Sequence, residues 1–370
     1  MSEILCNDIT QAEKSLLTDV GYGDESFRGG TCVLVDQEVR YISAANTDVE
    51  ILPLSEALRR HDWVQDLMFG LIAPDENAHI AELAESRHAP VGHFVRVREG
   101  AKVRLPVQLF TLLEVPQGRQ FHHNITVIEQ GAQVEMISGS AAPRSVHAGH
   151  HVSLSETYLR QGAVCRSVSI EHWAQGMEVH SYARARLEKN AHATDSTIQL
   201  APIRHHYSQN RSFIGEGATA NDQSILYAPE GTTRILESDT YLQGAGARSE
   251  SITRMVTAGG IISNRAMFIG EAAATRGFLG CNGLKLSDAG EIFSAPALRA
   301  LSATSQLSHE ASIGLIDQDK LSYLMASGMT EDQARDLIIQ GFLKLDEQIL
   351  PDAVREQVKT TIAAAISGAL

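Results

Sequence analysis

The chain changes its hydrophobic rhythm twice. Up to about residue 90 the apolar positions recur at helical spacing. Asn7 to about Leu17 sets Ile9, Leu16 and Leu17 behind an N-cap candidate, and Leu54 to about Leu71 puts Ala57, Leu58, Trp63, Val64, Leu67 and Met68 on one stripe. Asn77 to Ser86 reads as a further short helix, and Thr31 to Val35 as a strand between helices. From about Val91 the helical runs stop. Short alternating segments take over, such as those starting at His93 and Asn124, each followed by a tight turn. The turns are Gly100-Ala101, Gly131-Ala132, Gly162-Ala163, Asn190-Ala191, Gly217-Ala218, Gly246-Ala247 and, less regularly, Glu271-Ala272, at intervals of 31, 31, 28, 27, 29 and 25 residues.

A quasi-period of this length, with strands on either side of each turn, predicts a stacked β-solenoid. Alternation buries one face of each strand. Gly and Asn tolerate the left-handed backbone of a tight corner, and a small Ala lets successive coils stack closely. A β-sandwich is the rival architecture, because it also spaces strands and turns evenly. Helical periodicity returns near Asp317, which caps a helix holding Leu321, Leu324 and Met325 and ending at Gly328. Thr330 and Gln333 form a capping box for the next helix, with Ala334, Leu337 and Ile338 as its apolar stripe. A last helix is expected from Pro351 to about Ser367. Three regions follow: helical over 1–90, β-solenoid over 91–316, and helical over 317–370, the last expected to cap the open end of the solenoid and to present a docking surface.

Composition narrows the function. The 370 residues carry a net charge of −14, which disfavours nucleic acid or an anionic membrane as main partner. No apolar run is long enough to span a bilayer, and the start lacks a secretory pattern, so a cytoplasmic protein is expected. The four cysteines, Cys6, Cys32, Cys165 and Cys281, form no CxxC pair, which excludes a local zinc ribbon and fits a reducing compartment. A Walker A motif is missing, so the chain is not itself a P-loop ATPase. His122-His123 and His205-His206 look metal-like, but neighbours on a strand point to opposite faces and make poor joint ligands.

Cys281, His309 and Glu310 offer a thiolate, an imidazole and a carboxylate, all competent toward iron. Cys281 and His309 are 28 residues apart, about one coil, so they can stand on adjacent turns or across a subunit seam. By spacing alone the signal is weak. A run of ordered motifs strengthens it: Cys281-Asn-Gly-Leu-Lys-Leu-Ser-Asp-Ala-Gly, Pro296, Ser308-His-Glu-Ala-Ser-Ile-Gly, Asp317-Gln-Asp-Lys-Leu-Ser-Tyr-Leu-Met-Ala-Ser-Gly, Glu331-Asp-Gln-Ala and Gly341-Phe342. Together they resemble the C-terminal signature of the SufB/SufD family of iron–sulfur cluster assembly scaffolds. Ser167-Val-Ser-Ile-Glu-His-Trp173 is similar to a SufB segment ending in Asn-Trp. The resemblance spans roughly residues 90 to 345.

The resemblance implies a right-handed parallel β-helix flanked by helices, and pairing of two such subunits as a homodimer or a heterodimer with a paralogue. It implies a SufC-like ABC ATPase docked on the C-terminal helices, for which Leu321, Tyr323, Leu324, Leu337, Ile338 and Phe342 are the candidates. It further implies a transient iron–sulfur cluster, 4Fe–4S being the first expectation, at a seam carrying Cys281, His309 and Glu310. The chain would then be a scaffold and not an enzyme. Glu310 matches SufB, where SufD commonly has glycine. One position departs: Ser140 stands where SufB has its sulfur-accepting cysteine, and a hydroxyl cannot form a persulfide. Cys165, Glu171 and Trp173 are the candidates for a sulfur path, although Cys165 and Trp173 read equally as core residues. Two alternatives stay open: a SufD-like structural partner without its own cluster, and a β-helix enzyme acting on carbohydrate.

Overall fold

The computed structural model describes residues 8–23, 28–86, 88–346, 350 and 354–366. Asn7, Cys6, Pro351 and Ser367 lie outside them. In chain order the strands are β1 (Gly30–Val35), β2 (Glu38–Ala44), β3 (Val49–Pro53), β4 (His93–Val97), β5 (Val107–Leu112), β6 (Arg119–Ile128), β7 (Gln133–Ala141), β8 (Gly149–Leu159), β9 (Val164–His172), β10 (Met177–Leu187), β11 (His192–Gln199), β12 (His205–Ile214), β13 (Thr219–Pro229), β14 (Thr233–Leu242), β15 (Arg248–Ala258), β16 (Ile261–Gly270), β17 (Arg276–Lys285), β18 (Glu291–Ala300) and β19 (Gln306–Leu315). The helices are α1 (Gln11–Thr18), α2 (Leu54–Arg60), α3 (Asp62–Gln65), α4 (Ala78–Ala84), α5 (Gln318–Ala326), α6 (Glu331–Phe342) and α7 (Arg355–Ile366).

Odd strands from β5 onward stack in parallel into one sheet, and even strands from β4 onward stack in parallel into a second. This is a parallel β-solenoid. β1 adds to the first sheet beside β5 and is followed by antiparallel β2, while β3 adds antiparallel to β4. The first 90 residues therefore hold three strands that close the N-terminal end of the coil, where helical spacing predicts only one. The long helix expected over Leu54–Leu71 breaks at His61, whose backbone is extended (φ −129°, ψ 101°).

Backbone strain at the corners explains the turn residues. Gly100, Gly131, Gly162, Asn190, Gly217 and Gly246 all have φ between 56° and 70°. A Cβ on Gly131 would meet nothing within 4 Å, so the left-handed backbone alone selects glycine there. Each corner amide donates to a carbonyl of the next coil, for example Gly131 N to Gln161 O (2.9 Å) and Gly162 N to Lys189 O (2.9 Å). Ala132, Ala163, Ala191, Ala218 and Ala247 stack behind these corners with no exposed surface. The seventh corner falls at Ala274 (φ 57°), not at Glu271-Ala272, which places it 28 residues after Gly246 (274 − 246).

The outer face of the first sheet is covered by α1 and by α5–α7. Leu17, Leu321, Ala334, Ile339, Leu343 and Val358 share one apolar cluster with Ile170, Ile198, Ile225, Val256 and Leu284. The C-terminal helices thus lie along the flank of the solenoid and leave its open end uncovered, contrary to the capping expected from their position in the chain. The outer face of the second sheet is covered by α2 and α3 through Leu54, Ala57 and Val64, and by α4 through Ile80. Between the sheets, an apolar edge built from Leu34, Leu109, Val134, Leu159, Leu187 and Leu242 borders a lumen lined with hydroxyls and carboxylates. Among the described residues no helix is long and apolar enough to cross a membrane.

Candidate functional site

Alternation along β17 sends Cys281 into the lumen, where it is 2% exposed and packs with Leu226, Ala228, Met255, Ile262 and Ile292. The Asn264 amide nitrogen lies 3.5 Å from Sγ. Burial pushes the Cys281 thiol above its ordinary range, partly offset by the nearby Ser294 hydroxyl and the Asn264 amide. The group is therefore a protonated thiol at neutral pH, and its coordination of a metal would require loss of that proton and access through the packing over it.

His309 and Glu310 lie on β19, the last strand of its sheet, and are both exposed. In the register, Leu279 faces His309, Gly280 faces Glu310 and Cys281 faces Ala311. His309 consequently shares the lumen side with Cys281, two positions offset on the adjacent strand, whereas Glu310 points to the opposite face. Within one chain the fold brings Cys281 and His309 to the same end and face but does not gather all three. β18 and β19 each end a sheet, so ten residues of each expose an unpaired backbone edge. Phe293, Leu301, Ile313 and Leu315 are exposed on the same two strands and their connection.

Deeper in the lumen, an unbroken register joins Ser138, Ser169, Thr197, Ser224, Thr253 and Cys281 on successive strands of the first sheet. A parallel register runs Ser140, Glu171, Gln199, Leu226. Gln199 donates to Glu171 Oε1 (3.1 Å), and the His206 ring nitrogen is 3.7 Å from Oε2. Burial raises the Glu171 carboxyl, opposed by the Arg234 charge, and burial holds His206 well below its ordinary value. A third register carries Asp195 and Asp222 side by side, which the hydrophobic pattern alone did not mark as a site. Ser167 donates to Asp195 and Ser251 to Asp222. Burial pushes Asp222 up to about 7.

The remaining candidates divide by burial. Cys165 is 7% exposed on the apolar edge beside Val134 and Ala193, and burial raises its thiol strongly. It sits four strand spacings of about 4.8 Å from β17, too far to hand sulfur to Cys281 directly. Trp173 is 3% exposed, packed by Leu113, Val146, Met177 and Ile203 and tilted on the His151 ring at 4.9 Å. Among the helical residues, Leu321 is buried in the core, and Leu324, Ile338 and Phe342 pack partly against it. Tyr323 (74%) and Leu337 (45%) are exposed, together with Met325 and Met329. Ile339 takes the inward place expected for Leu337. His122 bonds the Asp36 carbonyl (2.8 Å) and His123 the Glu156 carboxylate (2.7 Å), so that pair does divide between faces.

The family model for the SufBD core domain of the SUF system for FeS cluster assembly matches residues 111–342. The chain belongs to the SufBD family. An iron-sulfur cluster assembly SufBD family protein of Archaeoglobus fulgidus is 31% identical over 354 residues, covering 95% of each chain. A SufBD family protein of Methanothermobacter thermautotrophicus is 29% identical over 93% of this chain and 85% of its own length. The iron-sulfur cluster assembly protein SufB of Bacillus subtilis is 24% identical over 98% of this chain and 77% of its own length. As a SufBD family protein, this chain takes part in iron–sulfur cluster assembly, and the matched region runs from the end of β5 through the solenoid to the end of α6.

Proposed function

We propose that this SufBD protein is a cytoplasmic scaffold that joins a second SufBD-type chain edge to edge through β18 and β19 and builds a cluster at that seam. The observation that carries the reading is the pair of unpaired end strands, with His309 and Glu310 exposed on the outermost strand and Cys281 one strand inside it. A two-fold pairing of identical edges would bring two copies of each residue to one place. Two chains supply what one chain holds apart: Glu310 on one face, Cys281 and His309 on the other. The nascent cluster is cargo, delivered onward, and the chain performs no bond chemistry of its own.

Because Cys281 is covered by Ile292 of β18, ligation calls for movement of the end coil. A SufC-like ABC ATPase on the exposed face of α5 and α6, at Tyr323, Met325, Met329 and Leu337, is suited to drive it, since these helices share a core with Leu284 of β17. With Ser140 in place of a sulfur-accepting cysteine, sulfur would reach Cys281 as inorganic sulfide, already at the oxidation level of a cluster's bridging sulfides, so that no persulfide on this chain is called for. A SufD-like role is the second reading, favoured by Ser140 and by the burial of Cys281.

Anaerobic reconstitution with iron and sulfide decides between them. Wild type should turn brown and bind both, and Cys281→Ala should lose most of both. Equal loading of the variant removes the site. A wild-type chain that stays colourless, and that takes up a cluster only beside a second SufBD chain, supports the SufD-like role.

A further inference from the structure

Three imidazoles converge on the outer face of the second sheet, away from the seam. His79 comes from α4, a helix fixed at its start by Asn77, whose Oδ1 accepts the Ile80 amide (3.1 Å). His150 and His180 come from β8 and β10. In the register, His150 faces Glu178 and His180 faces Val152, so the two histidines are same-face diagonal neighbours. Ring centroids are 4.2 Å apart for His79–His180, 5.4 Å for His150–His180 and 5.7 Å for His79–His150. One ligand nitrogen from each ring lies within 4.8 Å of the other two, and all three residues are half-buried. This is the only such group of three or more His, Cys, Asp or Glu among the described residues.

Two further features suit a ligand role. The Tyr182 hydroxyl is 3.0 Å from His79 Nδ1. With the proton on Nδ1 and donated to the tyrosine oxygen, the other nitrogen keeps its lone pair, the arrangement that orients metal-bound imidazoles. Burial lowers all three histidines, His180 to about 4, and the neighbouring rings lower His150 and His180 further.

We propose that His79, His150 and His180 form a mononuclear site for a divalent first-row transition ion, with its remaining coordination open to water. Tetrahedral coordination at about 2.0–2.1 Å per nitrogen sets ligand nitrogens roughly 3.3 Å apart. The ligand nitrogens already lie within 4.8 Å of one another on half-buried side chains, so the site would close to this spacing by side-chain rotation. His205, whose ring lies 5.5 Å from that of His180, borders the site as a fourth imidazole. Four strand spacings separate β10 from β18, about 19 Å, so the site is independent of the cluster seam and stands whether or not that seam assembles a cluster.

The test uses the full chain stripped of metal, titrated with Co2+ without oxygen and then with Zn2+. Wild type is expected to bind one Co2+ with the ligand-field spectrum of a four- or five-coordinate nitrogen site, displaced by Zn2+. The double variant His150→Ala/His180→Ala and the single variant His79→Gln should each weaken binding at least tenfold, with far-UV circular dichroism of the metal-free protein reporting the fold. His79→Gln, on a surface helix, keeps the test informative if the double variant unfolds. Tyr182→Phe should weaken binding severalfold, while His192→Ala, at an exposed position outside the cluster of rings, should bind as wild type. Absence of a bound equivalent in wild type, or wild-type binding by folded His79→Gln, overturns the proposal.

Discussion

Cys281 and His309 occupy the same face of adjacent strands, two positions out of register, with Cys281 buried and His309 at the open end of the lumen. A burial difference across a single strand spacing makes the thiol the gated member of the pair. Peptide-mapped alkylation at pH 7 should therefore label Cys281 at least about tenfold more slowly in the folded chain than in denaturant, since only the thiolate reacts and burial suppresses it. Equal rates would mean that the end coil does not shield it.

Edge pairing should be breakable without unfolding. Ile313 is 44% exposed on β19 and lies over Gly283 at the outermost strand, so Ile313→Lys costs little of the core and places like charges across a two-fold seam. Light scattering after size exclusion should show a dimer becoming a monomer, with circular dichroism unchanged. A variant that stays dimeric would move the interface elsewhere.

Helix α5 offers a paired test of docking. Tyr323→Asp alters a residue that is 74% exposed and should abolish capture of a SufC-type ATPase while leaving the melting temperature near wild type. Leu321→Asp alters a residue that is 3% exposed and should lower stability by about 3 kcal/mol, the scale of a buried charge or lost core leucine. Retained capture by Tyr323→Asp would count against this face.

The corners should answer to backbone conformation alone. Gly131 has φ 66° and open space around its Cβ position, so Gly131→Val should cost about 1–2 kcal/mol in chemical unfolding through left-handed strain. Gly131→Asn should cost clearly less, because Asn190 already occupies the equivalent corner at φ 56°.

Asp222 links stability to pH. Its folded value is raised to about 7 by burial, so the folded chain holds this proton where the unfolded chain has lost it. The associated stability is fully present below the unfolded carboxyl value, near about 4, and is lost as pH rises through about 7. Asp222→Asn should therefore gain stability relative to wild type as pH is raised from 4 to 8, measured by denaturant midpoint. A constant difference across that range would refute the assignment.

Much of the fold was legible locally. A glycine or asparagine followed by alanine marks a left-handed corner because few residues adopt that backbone, and the structure places six corners at the expected residues and the seventh at Ala274. Caps were equally local: Asp317 accepts the Asp319 and Lys320 amides, and Thr330 with Gln333 forms the capping box. Strand β2 was missed because its left-handed corner is at Asp36 (φ 52°), outside the Gly-Ala and Asn-Ala pattern, and β3 because its partner β4 lies 40 to 48 residues away. The site was half legible. Motif order named Cys281, His309 and Glu310, but the burial of Cys281 depends on Leu226, Met255 and Ile292, three strands far apart in sequence.

His79, His150 and His180 show the same division. His150 and His180 are 30 residues apart, the coil period, a signal that was present in the sequence, yet His79 joins them only because α4 docks on that face. Residues close together in the chain set the solenoid, six of its corners and the starts of α4, α5 and α6, because backbone conformation and capping depend on neighbours within a turn, whereas α1 starts at Thr10 and not behind Asn7. The tertiary structure alone decided which end stays open, which flank the C-terminal helices cover and which side chains meet, because stacking coils brings together residues that no local pattern relates.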